Sequence, residues 1–168
     1  MVRSATAEDA GGIARVRGQT WRAAYSHIFT QEQLGSISED EDAARWGRSL
    51  SEGRPRGGTL VAVGAEGDVQ GFASFGSERG GESSATGELY AIYVLPKASG
   101  RGMGQALMRD TLGRLRSERF DEAILWVLED NPRTRRFYEL AGWRADGTSK
   151  DEDWLGKPVR EVRYRIAL

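Results

Sequence analysis

The stretch from Glu88 to Leu115, ELYAIYVLPKASGRGMGQALMRDTLGRL, constrains this chain more than any other. Glu88 to Leu95 is rich in β-branched and aromatic residues and reads as a strand, which Pro96 stops. Alternation predicts Glu88, Tyr90 and Ile92 on one face and Leu89, Ala91 and Tyr93 on the other. Met108, Leu112 and Leu115, with Leu107 and Thr111 alongside, recur at helical spacing and predict a helix whose apolar stripe buries against a sheet. Gly100, Gly102 and Gly104 fall where the first pattern gives way to the second. Backbone N–H groups are therefore uncovered at the positive end of a helix dipole, an arrangement suited to phosphate.

Three readings of this glycine turn compete. A P-loop requires G-x-x-x-x-G-K-[ST], and no lysine follows the glycines in that register. A dinucleotide fingerprint, G-x-G-x-x-G from Gly102, requires glycine at 107, where the chain has Leu107. What remains is G-x-G at a strand-to-helix junction beside Arg101, either a phosphate cradle of another kind or an ordinary glycine-rich turn.

The rest of the chain supplies a sheet and helices to surround that junction. Val2 to Ser4 suits a short strand, and Thr6 with Asp9 is a helix start signal. Ile13, Val16, Thr20, Trp21 and Tyr25 follow at helical spacing; Ser38 and the acidic run after it open another helix through Ala44, Trp46 and Leu50. His27 to Ser36, between them, reads as a turn or loop. Thr59 to Val63 and Val69 to Gly76 are strands joined by a hairpin turn at Glu66-Gly67-Asp68, and Ser77 to Thr86 is a polar loop. Ala123 to Leu128 is a continuous apolar run, as expected of a strand covered on both faces. Asn131-Pro132 opens a short helix that Gly142 ends. Trp143 starts a last β region, interrupted by the polar stretch Asp146 to Lys150 and resumed in the alternation of Val162, Tyr164 and Ile166. The order predicts an α/β protein with a mixed sheet, and 168 residues suit a single domain over 1–168.

Composition removes several kinds of chemistry. With no cysteine, thiol catalysis, disulfides and thiolate metal sites are excluded, and no side-chain constellation suggests a metal site. A formal net charge of -1 argues against nucleic acid as the main partner. No stretch approaches the ~20 apolar residues of a membrane span. The opening MVRSATAEDA carries no apolar signal segment, so a cytoplasmic location is expected.

Two motifs together resemble the GNAT superfamily of acyl-CoA-dependent N-acetyltransferases. Its signature [Q/R]-x-x-G-x-[G/A] reads here Ser99-Gly100-Arg101-Gly102-Met103-Gly104, matching both small-residue positions and departing at Ser99. The element N-x-x-[A/S]-x-x-[F/L]-Y-x-x-x-G-[F/W] reads Asn131 to Trp143, with Thr134 as a small variation. Trp21 and Tyr25 also match members with W-x-x-x-Y in the first helix.

The resemblance implies a mostly antiparallel, splayed sheet flanked by helices on both faces, acetyl-CoA as acyl donor, and direct transfer to an amine. It implies main-chain contacts to pantetheine from Tyr93 and Val94. The pyrophosphate would fall to Arg101, Gly102, Met103, Gly104, Gln105 and Ala106, with the backbone carrying more of the grip because Ser99 removes a usual side-chain contact. Asn131 is either a helix cap, a pantetheine or acyl contact, or both. Tyr138 is implied as general acid toward the departing thiolate and Glu88 as the candidate base. Trp21, Tyr25 and Tyr90 are assigned to the acceptor pocket, with core packing as the other reading of Trp21. Arg133, Arg135 and Arg136 either meet phosphates or form a solvated helix face. Homodimers are frequent in this superfamily. A non-catalytic acyl-CoA sensor on the same fold is the alternative to an enzyme.

Overall fold

Seven strands form one sheet in the order β1-β2-β3-β4-β5-β7-β6 in the computed structural model, which describes residues 1–81 and 83–168. Glu82, inside the polar loop expected from Ser77 to Thr86, lies outside the described residues. The strands are β1 (Val2–Ser4), β2 (Gly58–Val63), β3 (Val69–Ser77), β4 (Thr86–Val94), β5 (Glu122–Leu128), β6 (Arg144–Trp154) and β7 (Lys157–Ala167). Only β4 and β5 run parallel; every other pair is antiparallel.

Helices cover both faces. On one, α1 (Ala10–Ala24) and α3 (Glu39–Glu52) bury Ile13, Val16, Trp46 and Leu50 against Val61, Phe72 and Tyr93. On the other, α4 (Met103–Ser117) buries the expected stripe of Leu107, Met108, Leu112 and Leu115, joined by Tyr138 of α5 (Pro132–Leu140). Each such apolar side chain contributes roughly 1.5–3 kcal/mol on leaving water. A third, smaller cluster of Trp21, Tyr25, Phe29, Leu34, Ile37 and Leu128 lies beneath the tip of the β6–β7 hairpin.

Four expectations are corrected. The segment read as a loop from His27 to Ser36 contains a short helix, α2 (Gln31–Gly35). Thr30 Oγ1 accepts the Gln33 N–H at 3.2 Å, and Gln33 Oε1 accepts the Thr30 N–H at 3.0 Å, the reciprocal cap that T-x-x-Q encodes. The polar stretch Asp146 to Lys150 interrupts the pairing only in part: Asp146 to Thr148 have no paired residue in β7 and Gly147 takes φ +84°, but pairing resumes at Ser149. It continues through β6 with a register shift between Ala145 and Ser149, held by cross-strand pairs such as Arg163 Nε to Asp146 at 2.7 Å. Third, Trp126 in the apolar run of β5 is half-buried and is met by Lys150 Nζ, 4.5 Å from the ring centroid.

The fourth correction shapes the site. Ser74 pairs with Ala91 but Phe75 pairs with Leu89, so Tyr90 is an extra residue in β4, a bulge. A bulge resets alternation and adds twist. Leu89 and Ile92 consequently share the α4 face, while Ala91 and Tyr93 turn toward α1. The parallel pairing with β5 stops at Leu89↔Leu125, so from Tyr90 to Val94 the strand keeps only its β3 neighbour. The sheet opens there into a V.

Candidate active site

The glycine turn stands at the mouth of that opening. Pro96–Ala98 forms one 3₁₀ turn, and Gly100 and Gly102 then adopt φ of +78° and +79°. This left-handed backbone favours glycine and turns the chain into α4. The first intrahelical bond runs from the Ala106 N–H to the Gly102 oxygen at 2.9 Å. Among the described residues, the N–H groups of Arg101, Gly102, Met103, Gly104 and Gln105 have no backbone acceptor. The free donors therefore end at Gln105, and the Ala106 N–H is already committed to the helix. A β-carbon at Gly104 would lie 3.4 Å from the Phe137 ring, ordinary contact distance, so α5 packs closely on the turn.

Of the three α5 arginines, one reaches the turn. Arg133 Nη2 lies 3.4 Å from Ser99 Oγ, bringing a guanidinium to the position where the sequence lacks a long polar side chain. Arg135 is turned to Tyr164 and the Glu129 carbonyl, and Arg136 pairs with Glu139 at 3.7 Å.

Asn131, at the N-cap of α5, and Tyr138, within it, come from the helix whose Phe137 meets Gly104. Asn131 Oδ1 accepts the Thr134 N–H at 3.2 Å and caps the helix, which leaves Nδ2 with no acceptor among the described residues. The cap and an available amide donor therefore coexist in one buried side chain. Tyr138 is also buried, with its ring against Phe137, Trp143 and Tyr164. Its hydroxyl has no hydrogen-bond partner among the described residues. Burial first, and the neighbouring Tyr93 phenol second, push its pKa well above the usual tyrosine value, so the proton stays on.

Three phenols gather at the opening. Tyr25 from α1, Tyr93 from β4 and Tyr138 from α5 each raise or feel one another's charge, and burial holds all three protonated. Trp21 stacks on Trp154 of the β6–β7 hairpin with centroids 5.0 Å apart and meets Tyr25 edge-on at 5.0 Å. Its buried indole N–H has no hydrogen-bond partner among the described residues. Trp21 thus packs in a core cluster and keeps an unused donor there. Tyr93, expected to contribute only its main chain, adds a side-chain hydroxyl.

Glu88 and Tyr90 are both engaged by Arg79. The buried Glu88 carboxylate accepts three hydrogen bonds from Arg79, from the backbone N–H at 2.8 Å, Nε at 3.1 Å and Nη2 at 2.6 Å. Tyr90 is sandwiched between guanidinium groups, Arg54 at 4.9 Å and Arg79 at 4.5 Å from its ring centroid, and its hydroxyl donates to the Ser77 carbonyl. His27 is exposed, with Nε2 3.2 Å from the Asp130 carbonyl oxygen.

One buried acid was missed by sequence reading. Glu161 of β7 lies opposite Leu128 and is 6% exposed. Burial raises its pKa, and Lys150 Nζ, 3.4 Å from Oε2, only partly offsets this. The signal was its position in the alternation: Val162, Tyr164 and Ile166 face α4, so Glu161 must face α1.

Comparison with known proteins follows the same outline. Residues 19–143 match the Acetyltransferase (GNAT) family. The uncharacterized N-acetyltransferase YuaI of Bacillus subtilis is 38% identical over 132 residues, 78% of this chain and 73% of that protein. A mycothiol acetyltransferase of Kocuria rhizophila is 34% identical over 134 residues, which cover 76% of this chain but 44% of that protein. The chain thus spans less than half the length of that relative. The PaiA N-acetyltransferase of Thermoplasma acidophilum, solved in complex with coenzyme A, superposes with a TM-score of 0.76 at 19% identity. The superposition covers 100% of this chain and 98% of that one, a likeness of fold. Among the described residues, no helix is long and apolar enough to cross a membrane, and no group of acidic and histidine side chains is arranged to hold a metal.

Proposed function

The chain belongs to the GNAT family of acetyltransferases, and from that premise we propose that residues 1–168 act as one domain that transfers acetyl from acetyl-CoA to a primary amine by direct attack. The observation that carries this reading is the open edge of β4. From Tyr90 to Val94 the strand lacks a second partner, and the edge leads directly to five free N–H groups at the start of α4. Pantetheine amides suit the first feature as an added strand, and a pyrophosphate suits the second. Arg101 and Arg133 add positive charge at the turn, and Asn131 at the N-cap of α5 keeps its Nδ2 available as a donor.

Transfer then depends chiefly on holding donor and amine together, since a well-placed pair gains much of its rate from positioning. The acetyl-CoA thioester is the acyl source; the amine nitrogen forms the new C–N bond as the C–S bond breaks. Tyr138, kept protonated by burial, donates to the departing sulfur. The Trp21, Tyr25 and Tyr93 donors line the side from which the acceptor approaches.

A panel of primary amines incubated with acetyl-CoA tests the reading through free CoA and acetylated product measured together. Stoichiometric appearance of both with one class of amine is the expected result. Acetyl-CoA binding without turnover on any amine would instead identify a sensor.

A further inference from the structure

We propose that Glu161 forms an anionic subsite that takes the acceptor as an alkylammonium ion and receives its proton. The inference deepens the function proposed above and rests on that reading of the opened sheet. Glu161 projects from β7 beside Leu128, the last residue of β5, where β4 and β5 have diverged. Leu128 and Val159 on the same face pack with Trp21 and Tyr25, so the carboxylate stands at the edge of an aromatic wall.

The charges around it leave room for one more cation. Lys150 of β6 is shared between Glu161 at 3.4 Å and Glu152 at 2.9 Å, giving two carboxylates to one ammonium. Glu161 Oε1 has no hydrogen-bond partner among the described residues. Arg79 also acts on Glu161, and its guanidinium is bound to Glu88. Other titratable neighbours are the Tyr25 phenol at the C-cap of α1 and the Tyr93 phenol of β4, both held neutral by burial. Arg163, two residues along β7, is paired with Asp146, and Arg17, 4.8 Å from the Trp21 ring centroid, with Asp42. The buried Trp21 indole N–H, in the cluster that Leu128 and Val159 join, has no hydrogen-bond partner among the described residues. Aromatic faces beside a carboxylate suit an alkylammonium ion, which gains from both the charge and the rings.

Glu88 is less suited to this step. Its oxygens already accept three hydrogen bonds from Arg79, and taking up a proton would break that ion pair. At Glu161, the ammonium gives one proton to the carboxylate and becomes the nucleophilic amine. That proton then passes to solvent. The second proton lost from nitrogen after C–N bond formation balances the one Tyr138 gives to sulfur. Burial suits Glu161 to the exchange by favouring its neutral form once the substrate charge has gone.

The test titrates n-butylammonium into the CoA-loaded protein, following tryptophan fluorescence, with neutral aniline as control. Acetyl transfer to the same amine and acetyl-CoA affinity are measured in parallel. Saturable n-butylammonium binding that weakens at least tenfold in Glu161→Gln, with acetyl-CoA affinity within twofold of wild type, is expected. The loss of transfer in this variant should shrink as pH rises toward the amine's own pKa, because free amine is then supplied by solution. Lys150→Ala, which removes the competing cation, should tighten n-butylammonium binding severalfold, a gain that no folding defect produces. Absence of saturable binding to wild type, or equal binding by Glu161→Gln, overturns the subsite. Binding that depends on Glu161 without any acetyl transfer would uphold the subsite and overturn the enzymatic reading instead.

Discussion

The two sides of the opened sheet are built by different means. On the side proposed for acetyl-CoA the groups offered are mostly main chain: the free edge of Tyr90 to Val94 and the N–H groups from Arg101 to Gln105, supplemented by Asn131 at the cap of α5 and Tyr138 within it. On the acceptor side they are side chains gathered from far apart in sequence. Trp21 comes from α1 and Tyr25 from its C-cap, Tyr93 from β4, Trp154 from the β6–β7 hairpin and Glu161 from β7. A main-chain site depends on backbone conformation, so its sequence mark is glycine and capping residues. A side-chain site depends on which faces the fold brings together, and it can change its ligand without altering the fold.

This contrast predicts that substitutions will separate the two halves. The largest effect is expected for Tyr138→Phe, which should lower kcat about 10²-fold while leaving acetyl-CoA affinity within about twofold, as read by rapid-quench kinetics and calorimetry. Unchanged turnover would remove the general-acid role. Gly102→Val forces a β-branched residue into φ +79°. A left-handed residue costs about 1–2 kcal/mol, so acetyl-CoA affinity should fall roughly tenfold with the apparent amine affinity spared. An equal loss of both affinities would show that the turn does not belong to one half alone. Trp154→Ala should act in the opposite sense. It removes the stack on Trp21 at 5.0 Å, worth about 0.5–1.5 kcal/mol, and should raise the amine KM a few-fold with acetyl-CoA affinity unchanged.

The smallest effect is on stability against pH. Burial raises the pKa of Glu161, so the folded state favours its protonated form. Its contribution to stability is therefore full below the unfolded carboxylate range and is lost as pH rises through the raised folded pKa. Glu161→Gln, which does not titrate, should gain about one or two degrees in Tm relative to wild type between pH 4 and 7. A difference that does not vary with pH would place the effect elsewhere.

The legibility of the sequence divides along the same line. The glycine turn, the α4 stripe and the Asn131 to Gly142 helix were all predicted, because each follows from local rules of spacing, capping and positive φ. The α2 helix was missed although Thr30 and Gln33 carry its cap, since five residues offer too little periodicity to stand out. The bulge at Tyr90 left no local mark; it is a property of pairing with β3, and it moved Ile92 to the opposite face from that expected. Asp146 to Lys150 looked like a break because its charges are polar in sequence, whereas Arg163 and Arg165 pair with Asp146 across the sheet. Glu161 resembled any charge on an alternating strand until the fold placed it beside Leu128. Arg79, which closes on Glu88, came from a loop whose sequence gave no reason to look there.

The central claim is that donor and acceptor occupy these two sides at once. Initial rates measured over a grid of acetyl-CoA and amine concentrations test it most directly. Double-reciprocal lines that intersect, with no CoA released until the amine is added, are the predicted result. Parallel lines, with a burst of CoA release before any amine is present, would mean that the acetyl group first passes to the protein and would contradict direct transfer.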